Sequence, residues 1–278
     1  MLSCLSTVLL VVVLTDNCSK PELVASISGA NASTLVSPAL STLVNSSTQT
    51  QANSQPDLDL LDAVASGNLA WVEAALASGA NVNAGNSSSG YALTIATLRG
   101  DAEMVRLLVS RKAALNVATD EGYTALFKAV SAGNIQIVRI LVQGGASPNI
   151  SPAGASPLYK AVEAGNIEIA AILVQGGANP NIRFSGTTPL YKAVEAGNIE
   201  MVRILLQAGA DPNIRSAEVT PLYKAVEAGN IDLARLLLSY KADARATSLG
   251  RTALAIAQEK GNTELVNLLR RVAAKQAP

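Results

Sequence analysis

Between Thr188 and Arg215 the chain carries two short apolar stripes at helical spacing. Leu190, Ala193 and Val194 fall at i, i+3 and i+4, so one helical face is apolar. Ile199, Val202, Leu205 and Leu206 form a second stripe. Punctuation separates the two. Thr188 is a good N-cap, because its hydroxyl accepts a free first-turn N–H. Pro189 fits the first helical position, where no N–H is needed. Gly197 stops the first helix, since glycine tolerates the left-handed conformation. Asn198 caps the second helix, Gly209 ends it, and Asp211-Pro212-Asn213 opens a turn. The pattern predicts two short helices and an extended turn. Neither helix is long enough to be stable alone.

The same pattern recurs along most of the chain. Gly67, Gly100, Gly133, Gly165, Gly197, Gly229 and Gly261 mark its register, at two intervals of 33 residues and four of 32. Asn follows each glycine except Gly100, where Asp101 does. Ser156–Arg183 reads SPLYKAVEAGNIEIAAILVQGGANPNIR and Thr188–Arg215 reads TPLYKAVEAGNIEMVRILLQAGADPNIR. Thr220 begins a third close copy, and the segment from Thr124 is a diverged one. A fixed period in this range means a solenoid, in which each unit buries its apolar face against its neighbours. The four shorter intervals predict tighter turns after the third to sixth units. Both ends differ, as solenoid ends do. The first unit has Asp57, Asp59 and Asp62 on its outer side, and Trp71 is expected to pack within it. The last unit places Arg270, Arg271 and Lys275 near a helix C-terminus, where cations suit the helix dipole. Seven units are expected over residues 57–275.

The N-terminal part is a different material. Leu5–Leu14 reads LSTVLLVVVL, too short for a membrane-spanning helix of roughly 20 residues. Its length matches the apolar core of a signal peptide, although no Lys or Arg precedes it. Residues 1–24 are therefore expected to act as an export segment. Lipid attachment at Cys18 is a second reading, although Thr15-Asp16-Asn17 does not resemble a lipobox. A stray hydrophobic N-terminus is the third. From Leu23 to Pro56 there is no charged residue, and Ser, Thr, Asn, Ala and Gln dominate. Such a stretch buries too little apolar surface to offset its conformational entropy, so residues 25–56 are expected to be a flexible linker.

Composition narrows the chemistry. Lys plus Arg and Asp plus Glu are 21 each, so there is no basic footprint for nucleic acid. The chain has no histidine, which removes the commonest general base and metal ligand. Its only cysteines are Cys4 and Cys18, so the repeats hold no Cys/His zinc site and no Cys nucleophile. No cofactor and no metal are expected. Asn-x-Ser/Thr triplets begin at Asn17, Asn31, Asn45, Asn86 and Asn149, a pattern that Ser/Asn-rich sequence also yields by chance.

The repeat resembles the ankyrin repeat family, whose pattern is T-P-L-H-x-A, a glycine at a helix end, then G-A-D-x-N. The matching residues are Thr188-Pro189-Leu190 with Ala193, then Gly197, then Gly209-Ala210-Asp211 with Asn213. Tyr159, Tyr191 and Tyr223 stand where the family usually has His, and Phe127 does in the third unit, so the capping bonds typical of that His must differ. The resemblance implies an all-α solenoid of stacked helix–turn–helix units with short hairpin-like fingers. It also implies a partner protein bound on the concave face, formed by the first helices and the fingers. Carried over by position, that face holds Leu98, Lys128, Ser131, Lys160, Glu163, Lys192, Glu195, Lys224 and Glu227. The fingers add Arg183, Phe184, Arg215, Glu218 and Val219.

Each of these has a plainer reading. The Lys and Glu copies, three residues apart, pair locally and form a solvated face contributing a few tenths of a kcal/mol each. Phe184 is either an exposed anchor for a partner or a ring tucked against the neighbouring finger. The three tyrosines fit better as a stack inside the repeat than as a binding stripe. The leading function is a non-catalytic scaffold for another protein, exported or membrane-tethered, with the membrane reached only through the N-terminal segment. A monomer is expected. The alternatives are a secreted effector or spacer, a cytoplasmic location, and, more remotely, a hydrolase using paired carboxylates. The last lacks a singular cluster that breaks the repeat.

Overall fold

The computed structural model describes residues 54–276. The export segment, Cys18 and the linker up to residue 53 lie outside the described residues. The first helix begins at Gln55, two residues before the boundary the charge pattern suggested, because Ser54 makes a capping box with Asp57 and Pro56 sits in the first turn.

The described helices form seven consecutive pairs. They are α1 (Gln55–Ser66) with α2 (Leu69–Ala77), α3 (Ala92–Leu98) with α4 (Ala102–Ser110), and α5 (Ala125–Ser131) with α6 (Ile135–Gln143). Next come α7 (Pro157–Glu163) with α8 (Ile167–Gln175) and α9 (Pro189–Glu195) with α10 (Ile199–Gln207). The last two are α11 (Pro221–Glu227) with α12 (Ile231–Ser239) and α13 (Ala253–Glu259) with α14 (Thr263–Lys275). The first helices of successive pairs pack in one row from α1 to α13, and the second helices from α4 to α14 pack in a parallel row.

Local capping follows the sequence. Thr124, Ser156, Thr188 and Thr220 each accept the third-residue N–H of the first helix through the side-chain oxygen. Asn134, Asn166, Asn198 and Asn230 do the same for the second helix. Gly197, at φ 70°, takes the left-handed step between α9 and α10. The core is built in equivalent layers. Leu126, Leu158, Leu190 and Leu222 stand in the first helices, with Leu141, Leu173, Leu205 and Leu237 in the second, each at most 1 % exposed.

A ladder of side-chain amides joins the turns. Asn83, Asn116, Asn149, Asn181 and Asn213 each accept a backbone N–H of the next unit's turn, at 2.7–2.9 Å. Asn149, Asn181 and Asn213 also donate to the carbonyls of Gly177, Gly209 and Lys241. Both ends of the ladder are closed. At the front, Asp57 accepts the Asn81 N–H at 2.6 Å, which holds its carboxyl below the usual range. At the back, the Gln276 amide accepts from Ala244 and donates to Ala242.

The fingers show what the shorter intervals do. In the first, β1 (Gly85–Asn86) pairs with β2 (Gly90–Tyr91), leaving three residues at the tip. After the fourth and fifth pairs, Phe184 bridges Thr187 and Ser216 bridges Val219, leaving two. After the sixth, β3 (Thr247–Ser248) pairs with β4 (Arg251–Thr252) around Leu249-Gly250. The finger after the third pair is different: a 3-10 turn over Pro152–Gly154 replaces the hairpin. Proline there has no N–H to give to a ladder.

These two-residue tips are of the I′ kind, which needs positive φ at both positions. Ser185-Gly186 and Leu249-Gly250 each supply a glycine second, but Ala217-Glu218 does not, with φ at 46° and 64°. A non-glycine residue in this region costs roughly 1–2 kcal/mol, partly offset by the extra freedom glycine has when unfolded. Glu218→Gly is therefore expected to stabilise the domain by about 0.5–1 kcal/mol. The exposed Arg215–Glu218 pair at 3.5 Å that it removes contributes little. Urea unfolding checks it; an unchanged or lower midpoint would mean that the tip is not strained.

One expectation about the first unit is corrected. Trp71 is 41 % exposed and does not pack inside. Among the described residues no helix pair precedes α1 and α2, so the outer side of α2 has no neighbour to cover it.

Candidate functional site

The row of first helices places the Lys and Glu copies in register. Lys160 meets Glu163 at 2.7 Å, Lys192 meets Glu195 at 2.9 Å and Lys224 meets Glu227 at 2.9 Å. The pairs are local, three residues apart on one helix, as the plainer reading held. The hydrogen bond it donates to Glu195 holds the Lys192 ammonium pKa above its ordinary range, and the bond donated to Glu227 does the same for Lys224. Each rung is thus charged but self-neutralised. The finger residues contact one another. Arg183 is exposed and donates to the Arg215 carbonyl at 3.1 Å, and Arg215 pairs with Glu218.

The third unit breaks the series. Ser131 stands where the next three units have Glu, and among the described residues Lys128 has no carboxylate within ion-pairing distance. Its ammonium lies 3.9 Å from the centre of the Tyr123 ring, a cation–π contact.

Aromatic residues gather around it. Tyr123 stacks on Phe127 at 5.2 Å between ring centres. Phe184 packs its ring edgewise against Tyr159, also at 5.2 Å. Phe184 is half-buried, so it lies against the preceding unit and still shows one face. The tyrosines do not stack on one another; the ring pairs among the described residues are these two. Tyr159 and Tyr223 are buried and Tyr191 is half-buried. Loss of water around Tyr159 and Tyr191 raises their hydroxyl pKa. The capping role left open by the missing His passes partly to serine. Ser216 and Ser248, both buried, accept the backbone N–H of Thr188 and Thr220 from the following finger.

Between these groups runs an open groove of about 500 Å³, walled by Tyr123, Phe127, Pro152, Tyr159 and Phe184, with Lys128 and Ser131 along it. A second groove of about 360 Å³ adjoins it, between the fingertip serines 87–89 and Leu98, and shares Lys128. Leu98, 64 % exposed, lines this second groove. Sequence reasoning named Lys128, Ser131 and Phe184 but not Tyr123 or Pro152, nor their convergence. The substitution of Ser131 for the repeated Glu was the available signal. Among the described residues, no group of His, Cys, Asp or Glu is arranged to hold a metal ion, and no helix is long and apolar enough to cross a membrane.

Comparison with known proteins agrees with the helix pairs. The ankyrin repeats family matches three times, over residues 60–152, 149–216 and 215–276. The ankyrin repeat domain of human ASB11 is 29% identical, covering 79% of this chain and 98% of that one, with a TM-score of 0.56. The ankyrin repeat domain of Bcl-3, a member of the IkappaB protein family, is 27% identical, covering 76% and 97%, with a TM-score of 0.63. An ankyrin repeat domain from Acinetobacter baumannii AYE is 26% identical, covering 65% and 96%, with a TM-score of 0.60. No curated protein matches the chain.

Proposed function

Because the chain belongs to the ankyrin repeat family, we propose that it is a non-catalytic scaffold whose partner protein docks on the face made by its first helices and fingers. Ankyrin repeats are generally protein–protein interaction scaffolds. The observation that carries the finer reading is the registered row of Lys–Glu pairs that ends at an aromatic groove. Such a face offers charged hydrogen-bonding groups beside rings, the mixture that interfaces use for specificity and anchoring. The carboxylates of the row are bound to neighbouring ammonium groups and recur with the repeat, which argues against their use as a catalytic acid–base pair. Export belongs to the same proposal and rests on the apolar run Leu5–Leu14 and the uncharged stretch behind it.

Affinity capture from the producing organism's cell fractions tests it. The wild-type chain is compared with one carrying Glu163→Lys, Glu195→Lys and Glu227→Lys. The wild type should retain a partner that the triple variant loses, since the reversal puts like charges side by side along the face. Equal recovery of the same partner by both would place the binding surface elsewhere. Wild-type protein with an intact Met1 in the cytosolic fraction would overturn export.

A further inference from the structure

The repeat supplies its own template for a missing group. In α7, α9 and α11 a Glu carboxylate sits 2.7–2.9 Å from the Lys ammonium one turn before it. In α5 the ammonium of Lys128 is kept and the carboxylate is not, because Ser131 replaces it. Of the other charges lining the two grooves at Lys128, Lys160 is bound by Glu163 and Asp120 accepts the Ser88 hydroxyl at 2.7 Å. Glu121, exposed at the fingertip, lines both grooves but makes no ion pair with Lys128. The vacant rung opens into the groove whose walls are Tyr123, Phe127, Pro152, Tyr159 and Phe184.

We propose that this groove receives an extended segment of the partner protein, whose Asp or Glu side chain completes the rung at Lys128 while a neighbouring bulky apolar side chain packs against Phe184 and Tyr159. The inference rests on the scaffold reading and names the chemistry of its partner. Three fingers and two first helices line the groove, which stays open along the row. A chain passing through therefore fits it better than a chain end. The ammonium is oriented by the Tyr123 ring before binding, so little freedom is lost when the carboxylate arrives. The exposed Ser131 hydroxyl is a second donor at the same place.

The test uses the full chain and a fluorescein-labelled synthetic peptide, uncharged except for a central Leu-Glu-Phe, followed by fluorescence polarisation. The peptide should bind the wild type, and versions with Leu-Gln-Phe or Ala-Glu-Ala at the centre should bind about tenfold more weakly or not at all. Ser131→Glu supplies the missing carboxylate from the protein itself. It should weaken the Leu-Glu-Phe peptide by about tenfold or more, while Ser131→Gln, of the same size but neutral, should keep most of the affinity. Ser131→Glu should leave the urea midpoint nearly unchanged, because three other units already carry that pair. Lys128→Gln gives the same reading independently of that substitution. No binding of the Leu-Glu-Phe peptide, equal binding of the Leu-Gln-Phe peptide, or unchanged affinity in both Ser131→Glu and Lys128→Gln would overturn the proposal. If Ser131→Glu also leaves partner capture intact while the triple charge reversal abolishes it, the scaffold reading stands and the carboxylate seat falls.

Discussion

Leu173→Ala should lower the unfolding free energy by about 3–4 kcal/mol, the largest single-residue loss expected in the domain. Leu173 is fully buried in α8, in the middle of the second-helix row. Its helix packs between α6 and α10, which carry the equivalent buried Leu141 and Leu205. Truncation removes its transfer free energy and leaves a cavity between two units whose backbones are held apart by their other contacts. A stack of units is stable only through its interfaces, so damage in the middle uncouples the flanking parts. Urea unfolding followed by circular dichroism should show an earlier and broader transition. A shift comparable to that of a surface substitution would mean that neighbouring units close the gap.

Asn181→Ala should cost about 2 kcal/mol although the residue is only half-buried. Its side chain accepts the Asp211 N–H at 2.9 Å and donates to the Gly209 carbonyl at 3.2 Å. Both partners belong to the next turn, so one substitution removes two bonds across one joint. Each intramolecular hydrogen bond contributes about 0.5–1.5 kcal/mol net. Hydrogen exchange checks the location as well as the size. Protection should fall first at the amides around residues 209–211, and uniform loss over the whole domain would contradict a local joint.

Much of the fold was legible because short-range chemistry repeats. Thr188, Pro189, Gly197 and Asn198 act at the positions their types suggest, since caps and left-handed turns depend on a few adjacent residues. The shorter intervals also translated directly into two-residue fingertips. The finger after the third pair did not follow, because Pro152 selects a 3-10 turn that spacing alone does not distinguish from a hairpin. Trp71 was misread for a different reason. A tryptophan in an apolar run packs inwards only if something lies on its far side, and the described residues provide nothing there.

The candidate site was half legible. Its charged residues are periodic, so their register was evident, and so was their local pairing. The groove depends on contacts between helix and finger, such as Phe184 on Tyr159, 25 residues apart, which periodic spacing does not reveal. The clue lay in the irregularity: Ser131 where the pattern asks for Glu. In a near-identical array, departures from the consensus carry more functional information than the consensus does.

The amide ladder bears on how the chain acquires its length. Every internal rung joins a unit to the next through equivalent positions, as Asn149, Asn181 and Asn213 show. Such a joint does not record which copy it belongs to. Duplicating or losing one 32-residue module between Gly165 and Gly229 leaves every remaining rung with a partner. Only the terminators, Asp57 and Gln276, are tied to fixed places. The number of modules is therefore free to change by recombination, and the near-identity of Ser156–Arg183 and Thr188–Arg215 is the trace such an event would leave.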